Sequence, residues 1–286
     1  MACAMSKRLT GKTILITGAS SGIGRSTALE FSRVVAPNDL RLILVARRTE
    51  KLYELKRQIE GETTGVKVLC AQLDVSQKEE IINFVNDLRE DSQFGNVDIL
   101  INNALVVHIA LFLFLPMNPL KRDNKLLTYD RGLVKGVAQS PNICPDDIEI
   151  MLKTNVTGLI SMTQAILPIF LAKGAGDIIN VGSIAGREPY PGGSIYCATK
   201  AAVRSYTDAL RKELVSSRIR VMEIDPGQVE TEFSIVRFYG DKSKADAVYA
   251  GCEPLTPDDI AEVIVFTAGR RENVVIADTL IFPNHQ

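Results

Sequence analysis

Tyr196 and Lys200 stand four residues apart in the stretch SIYCATKAAV, a spacing that puts a phenol and an ammonium on one face of a helix. A phenol, with an ordinary pKa of about 10, is a poor base at neutral pH. An ammonium about 5 Å away, at an effective dielectric near 20, stabilises the phenolate by roughly 3 kcal/mol, on the order of two pKa units. That brings a tyrosine toward the range in which it can trade a proton with an alcohol oxygen while a hydride moves between the same carbon and a nicotinamide. Ser183, closing the apolar run GDIINVGS, can donate a hydrogen bond to the developing alkoxide. The chain has only two histidines, His108 and His285, so a histidine base or a multi-histidine metal site is not expected, and no metal is.

A second group of residues suits a phosphate. TGASSGIG, from Thr17 to Gly24, lies between a β-branched run and a helical pattern. Gly18, Gly22 and Gly24 let the chain turn sharply and let a pyrophosphate approach the amides of a helix N-terminus. An acid roughly 20 residues further on would accept a ribose 2′-hydroxyl, whereas an arginine there suits a 2′-phosphate. The chain has Arg47 and Arg48 at the end of its second apolar run, and no acid, which favours NADP(H) over NAD. A glycine turn or an arginine pair alone also occurs as plain structure or surface charge; their position after the first two runs is what gives them meaning.

The elements that must position these residues alternate. The runs KTILITGA, LRLILVARR, VKVLCAQLDV, VDILINNA, GDIINVGS, IRVMEIDPG and TLIF read as strands. Between them lie amphipathic stretches of helical period, among them TEKLYELKRQIE and TPDDIAEVIVFTAG. Apolar strands separated by such helices imply a parallel sheet covered on both faces. The expected fold class is α/β: a single doubly wound Rossmann domain over 1–286, with a parallel sheet of about seven strands. The 33 basic and 34 acidic residues are dispersed over 286 positions, net charge −1, which leaves no footprint for nucleic acid or an anionic membrane. The five cysteines, Cys3, Cys70, Cys144, Cys197 and Cys252, are odd in number and form no CxxC pair. No disulfide framework or structural zinc is expected, and a cytoplasmic, reducing setting fits, with the nucleus also open to the chain. MACAMSKRLTGK lacks the apolar core of a signal peptide.

In this order, TGASSGIG, LDV, NNA, TNVTG, VGSIAG, YCATK and DPGQVETEF resemble the short-chain dehydrogenase/reductase family across nearly the whole chain. The resemblance implies a catalytic tetrad of Asn155, Ser183, Tyr196 and Lys200, with Asn155 holding a water that relays protons to Lys200. It implies that Thr17, Gly18, Ser20, Ser21, Gly22, Ile23 and Gly24 line the dinucleotide, with Arg47 and Arg48 toward the 2′-phosphate and Asp74 at the adenine. It places Asn102 and Ala104 beside the ribose and nicotinamide, and Pro226, Gly227, Val229 and Thr231 at the carboxamide; Lys200 would also bond the nicotinamide ribose. The blocks SIAGREPYPGGSIYCATK, TEFSIVRFYGDKSKADAVY and VIADTLIFP are similar to NADP-dependent 3-hydroxy acid dehydrogenases acting on serine and L-allo-threonine, notably the fungal members. A small hydroxy acid or carbonyl substrate follows, with Arg187 and Arg237 as candidates to receive its carboxylate. The resemblance further implies a homo-tetramer or homo-dimer, and a tail often longer than one ending at Gln286.

One stretch departs from the family. Similar enzymes read NNAG at the end of the fourth strand, whereas here Ala104 is followed by LVVHIALFLFLP. Lifting out the 27 residues 105–131 joins Ala104 to Gly132 and restores DILINNAGLVKGV. The leading reading is a retained intron translated in frame. The run is too short to span a bilayer, which needs about 20 apolar residues. A lid or partner loop would have to hide Leu111, Phe112, Leu113 and Phe114. Kept in place, the segment displaces Gly132 from beside the nicotinamide, which leaves a non-catalytic or inactivated NADP-binding protein as the alternative function. Proteomics of the source cells separates the two. The tryptic peptide EDSQFGNVDILINNAGLVK is expected, and abundant peptides from 105–131 would contradict the intron reading.

Overall fold

The computed structural model describes residues 2–104, 139–232 and 253–286. Its centre is a seven-stranded, all-parallel sheet in the order β3-β2-β1-β4-β5-β6-β7. The strands are β1 (Thr13–Thr17), β2 (Leu40–Ala46), β3 (Val66–Gln72), β4 (Ile99–Asn102), β5 (Ala175–Val181), β6 (Arg218–Pro226) and β7 (Asp278–Ile281). The helices are α1 (Ala2–Leu9), α2 (Gly22–Val35), α3 (Thr49–Glu62), α4 (Lys78–Glu90), α5 (Pro145–Leu152), α6 (Leu159–Lys173), α7 (Ser194–Glu213) and α8 (Pro257–Ala268). All seven strands and the helices between them fall where the apolar runs place them; α1 does not follow from any of those patterns.

Alternation along the strands divides the core in two. Ile14, Ile16, Leu42, Leu44, Met222 and Ile224 pack on one face with Phe31, Ile260 and Ile264 from α2 and α8. Leu15, Ile43, Leu100, Ile178 and Val221 pack on the other with Val85, Met162, Ile166, Phe170 and Leu210 from α4, α6 and α7. Residues two apart therefore share a face, and this sends Glu223 and Asp225 to the α7 side together with Val221. The helical stretch Pro145–Lys173 is apolar enough to cross a membrane by length and composition, yet Met162, Ile166 and Phe170 lie fully buried in that second core.

Strand order reverses between β1 and β4, and in open α/β sheets ligands bind in the crevice beyond the strands' carboxyl ends at such a point. Here the crevice is clamped by one hydroxyl. Thr17 Oγ1 donates to Ile101 O at 3.3 Å and accepts from the amides of Asn103 and Ala104 at 3.0 and 2.9 Å. Asn103 adds its side-chain amide, donating to Thr17 O and Gly18 O at 3.0 and 3.3 Å. At the other end of the sheet, Arg220 is 5% exposed and holds Asp177 through both carboxylate oxygens, at 2.7 and 2.5 Å. It also donates to Ala268 O and Val274 O, at the end of α8 and beyond it. Burial pushes the Asp177 carboxyl up, and the guanidinium pulls it back down. Replacing Arg220 by Met strands a buried carboxylate and should destabilise the fold by about 3–5 kcal/mol in denaturant unfolding. Asp177→Leu added to it should restore most of the loss, and a single variant as stable as the parent contradicts the pairing.

Candidate active site

The glycine turn forms as its sequence requires. Gly18 and Gly22 have φ of 67° and 52°, and a Cβ on Gly18 would lie 2.9 Å from Ala104 Cα. The N-cap residue of α2, Ser21, makes no side-chain cap bond, and no acid stands in the first turn. The helix N-terminus is thus open to an anion. Arg48 reaches across its mouth: Nη2 donates to Ser20 Oγ at 3.2 Å and to Ser21 Oγ at 2.7 Å, and the guanidinium pairs with Glu232 at 3.0 Å. Arg47 is exposed, with its carbonyl accepting from Gln72 Nε2. Thr231 closes the other side, its methyl 3.4 Å from where a Gly22 Cβ would be. Ile23 packs on the core, and half-buried Asp74 caps the turn after β3 by accepting from Ser76 N at 2.9 Å.

The proposed tetrad gathers at the ends of β5, α7 and a π turn. Ser183 caps the 3₁₀ turn Ile184–Gly186, its Oγ accepting from Ala185 N at 3.1 Å, which leaves the hydroxyl hydrogen for another acceptor. Tyr196 is half-buried; Lys200, one turn on, is 1% exposed. Lys200 Nζ lies 5.9 Å from the Tyr196 ring centre and donates to Val181 O at 2.9 Å. Asn155 sits in the π-helical turn Lys153–Gly158 that joins α5 to α6, a distortion frequent at functional sites. Its amide donates to Thr199 Oγ1 at 3.3 Å, and Thr199 donates to Tyr196 O at 2.7 Å. That chain ties the π turn to the helix carrying the phenol and the ammonium.

Beyond Lys200 lies a group of acids that sequence reasoning did not single out. Glu223 and Asp225 are each 1% exposed, and with Asp278 on β7 their oxygens lie within 4.8 Å of one another. Desolvation, and then Asp225 beside it, push the Glu223 carboxyl up to about 8 against the downward pull of Lys200. Desolvation also lowers Lys200 to about 8, while Asp225 and Glu223 oppose that fall. Three carboxylates at that separation could ligate a cation, but Arg187 already supplies the positive charge.

That pairing corrects one expectation. Arg187 does not stand open to a substrate carboxylate: Nε donates to Asp225 Oδ2 at 2.7 Å and Nη2 lies 3.0 Å from Asp278 Oδ2. The side-chain amide of Asn102 faces inward, donating to Thr163 Oγ1 at 2.8 Å and Asn180 Oδ1 at 2.9 Å, so it braces β4 against β5 and α6. Thr17, expected at the dinucleotide, uses its hydroxyl on the end of β4. The segment after β6 is braced as well: Gly227 N donates to Ile281 O at 2.7 Å, Gln228 N to Gln286 Oε1 at 2.8 Å, and Val229 bridges Leu255, while Pro226 itself is the buried last residue of β6. Arg237 and the segment 105–131 lie outside the described residues.

A parallel sheet with a phosphate-type turn at its switch point, and a Ser-Tyr-Lys set at the ends of β5 and α7, define a nucleotide-dependent oxidoreductase class. The family model described as short chain dehydrogenase matches residues 12–124 and 125–238, and the chain belongs to that family. It is 51% identical over 279 residues to the NADP-dependent 3-hydroxy acid dehydrogenase of Schizosaccharomyces pombe, covering 98% of this chain and 95% of that protein. To the serine 3-dehydrogenase of Rhizobium radiobacter it is 32% identical over 274 residues, 96% and 94% of the two chains. Among solved structures, the closed form of serine dehydrogenase complexed with NADP+ matches with a TM-score of 0.78 and 34% identity, over 96% of this chain and 95% of that one.

Proposed function

We propose that this chain is an NADP-dependent oxidoreductase moving a hydride between the cofactor and a secondary alcohol, with a small 3-hydroxy acid such as serine or L-allo-threonine as substrate. The observation that carries the reading is the joint placement of Ser183, Tyr196 and Lys200 at the carboxyl end of β5, beside the β1–β4 crevice. The similarity to 3-hydroxy acid and serine dehydrogenases over nearly the full chain supports the substrate class. The open N-terminus of α2, the close approach of Gly18 to Ala104, and Arg48 with the Ser20 and Ser21 hydroxyls fit a phosphorylated dinucleotide. When bound, that cofactor supplies a hydride acceptor, or a donor in its reduced form.

The protein's own part is proton handling and orientation. In the oxidising direction Tyr196 takes the proton from the alcohol oxygen, and Ser183 donates a hydrogen bond to that oxygen as charge develops on it. Lys200 makes the phenol more acidic through its charge. Asn155, through Thr199, fixes α7 against the π turn. We propose a cytoplasmic setting and a homo-dimer or homo-tetramer, as the family resemblance implies.

Absorbance of the reduced nicotinamide, followed with NADP and serine, tests the reading. Turnover is expected from the chain lacking 105–131, and Tyr196→Phe should lower kcat/KM by about 10²-fold or more. Full activity of Tyr196→Phe would contradict the assigned proton transfer.

A further inference from the structure

Glu223 and Asp225 are buried on the face of β6 turned to α7, in the space that Gly182 leaves by lacking a Cβ. A Cβ there would lie 2.5 Å from Glu223 Oε1 and closer still to Asp225 Oδ1. Asp225 Oδ2 is engaged by Arg187, whereas Asp225 Oδ1 and both oxygens of Glu223 have no hydrogen-bond donor. Two adjacent carboxyls in a dry site, one of them unpartnered, are costly to ionise together. We propose that Glu223 and Asp225 are a carboxyl pair that shares one proton and acts as a positioning pair for Lys200, releasing that proton in place of the lysine as the pH rises.

The charges around the pair support this. From the end of β5 comes Arg187; from β7, Asp278; from α7, Lys200, with Tyr196 and Arg204 one turn to either side of it. Burial raises Glu223 and lowers Lys200, and the charge of each opposes the shift of the other, so the two titrate as one coupled system. When that system loses its first proton, two arrangements compete: carboxylate with ammonium, or carboxylic acid with neutral amine. Attraction between opposite charges favours the first. Glu223 therefore ionises and Lys200 stays charged. No atom is exchanged with substrate: one O–H bond of the carboxyl breaks, and its proton leaves to water, toward which Asp278, 38% exposed, opens the cluster.

The catalytic consequence rests on the roles proposed above for Tyr196 and Lys200, but the pair itself is testable without turnover. In the infrared, the folded protein without cofactor should show a protonated-carboxyl carbonyl stretch at neutral pH that is missing from Glu223→Gln. In Lys200→Met the band should persist to higher pH, because the charge that favours ionisation has gone. Absence of the band, or a band that titrates alike with and without the lysine, overturns the proposal. In the active enzyme, the ratio of parent to Glu223→Gln kcat/KM should grow about tenfold between about pH 7 and about pH 9. Glu223→Asp, which keeps a titrating carboxyl, should suppress most of that growth. A ratio constant across the range marks a purely structural role and overturns the proposal. A protein with the coupled band and no turnover would count against the dehydrogenase reading alone.

Discussion

α7 carries Lys200 into an interior where water no longer stabilises its charge, 5.9 Å from the Tyr196 ring centre, and the proton transfer proposed for Tyr196 needs that charge. One carbonyl, Val181 O, accepts a hydrogen bond from the ammonium at 2.9 Å, and this alone does not replace a hydration shell. The rest comes from β6. Strand alternation turns Glu223 and Asp225 toward α7, and the missing side chain at Gly182 lets both carboxyls in. Excess negative charge is then limited from the outside by Arg187, which bridges Asp225 and Asp278. The chemistry at the end of β5 therefore depends on residues from three strands and one helix.

The same economy appears at the crevice. Thr17, Asn102 and Asn103 all sit at strand ends facing the site, and all three use their polar atoms on the protein. Thr17 and Asn103 lock β1 to β4. Asn102 continues inward to Asn180, whose amide donates to Thr207 of α7 at 2.8 Å. Strand ends thus held leave the glycine turn and the N-terminus of α2 as the surfaces available to phosphate, with Arg48 over them. A buried polar network of this kind, satisfied at each step, fixes relative positions more tightly than apolar packing does.

Sequence made some of this plain. Apolar runs of strand length with helical stretches between them predict every strand of the sheet, and the spacing of Tyr196 and Lys200 predicts their shared face. Gly18, Gly22 and Gly24 predict the turn, because few other residues tolerate it. Pairing was the invisible part. Arg187 reads as an arginine near Ser183, and nothing local says that Asp225 and Asp278 are waiting for it across two strands. Asn102 is singled out by the NNA motif of the resemblance, but the inward direction of its amide depends on Thr163 and Asn180, both distant in the chain. The acids of VMEIDPG draw no notice inside a run read as an apolar strand. Their burial follows only once β5 and β7 flank β6 and α7 covers it.

The proposed proton transfer depends on the influence of a buried ammonium on one phenol. The direct measurement is an ultraviolet difference titration of the protein against Tyr196→Phe, repeated in a Lys200→Met background. Phenolate absorbance from Tyr196 is predicted to appear well below the ordinary phenol value of about 10, and to move back up when the lysine is replaced. A phenol that ionises at the same pH with and without Lys200 would contradict it.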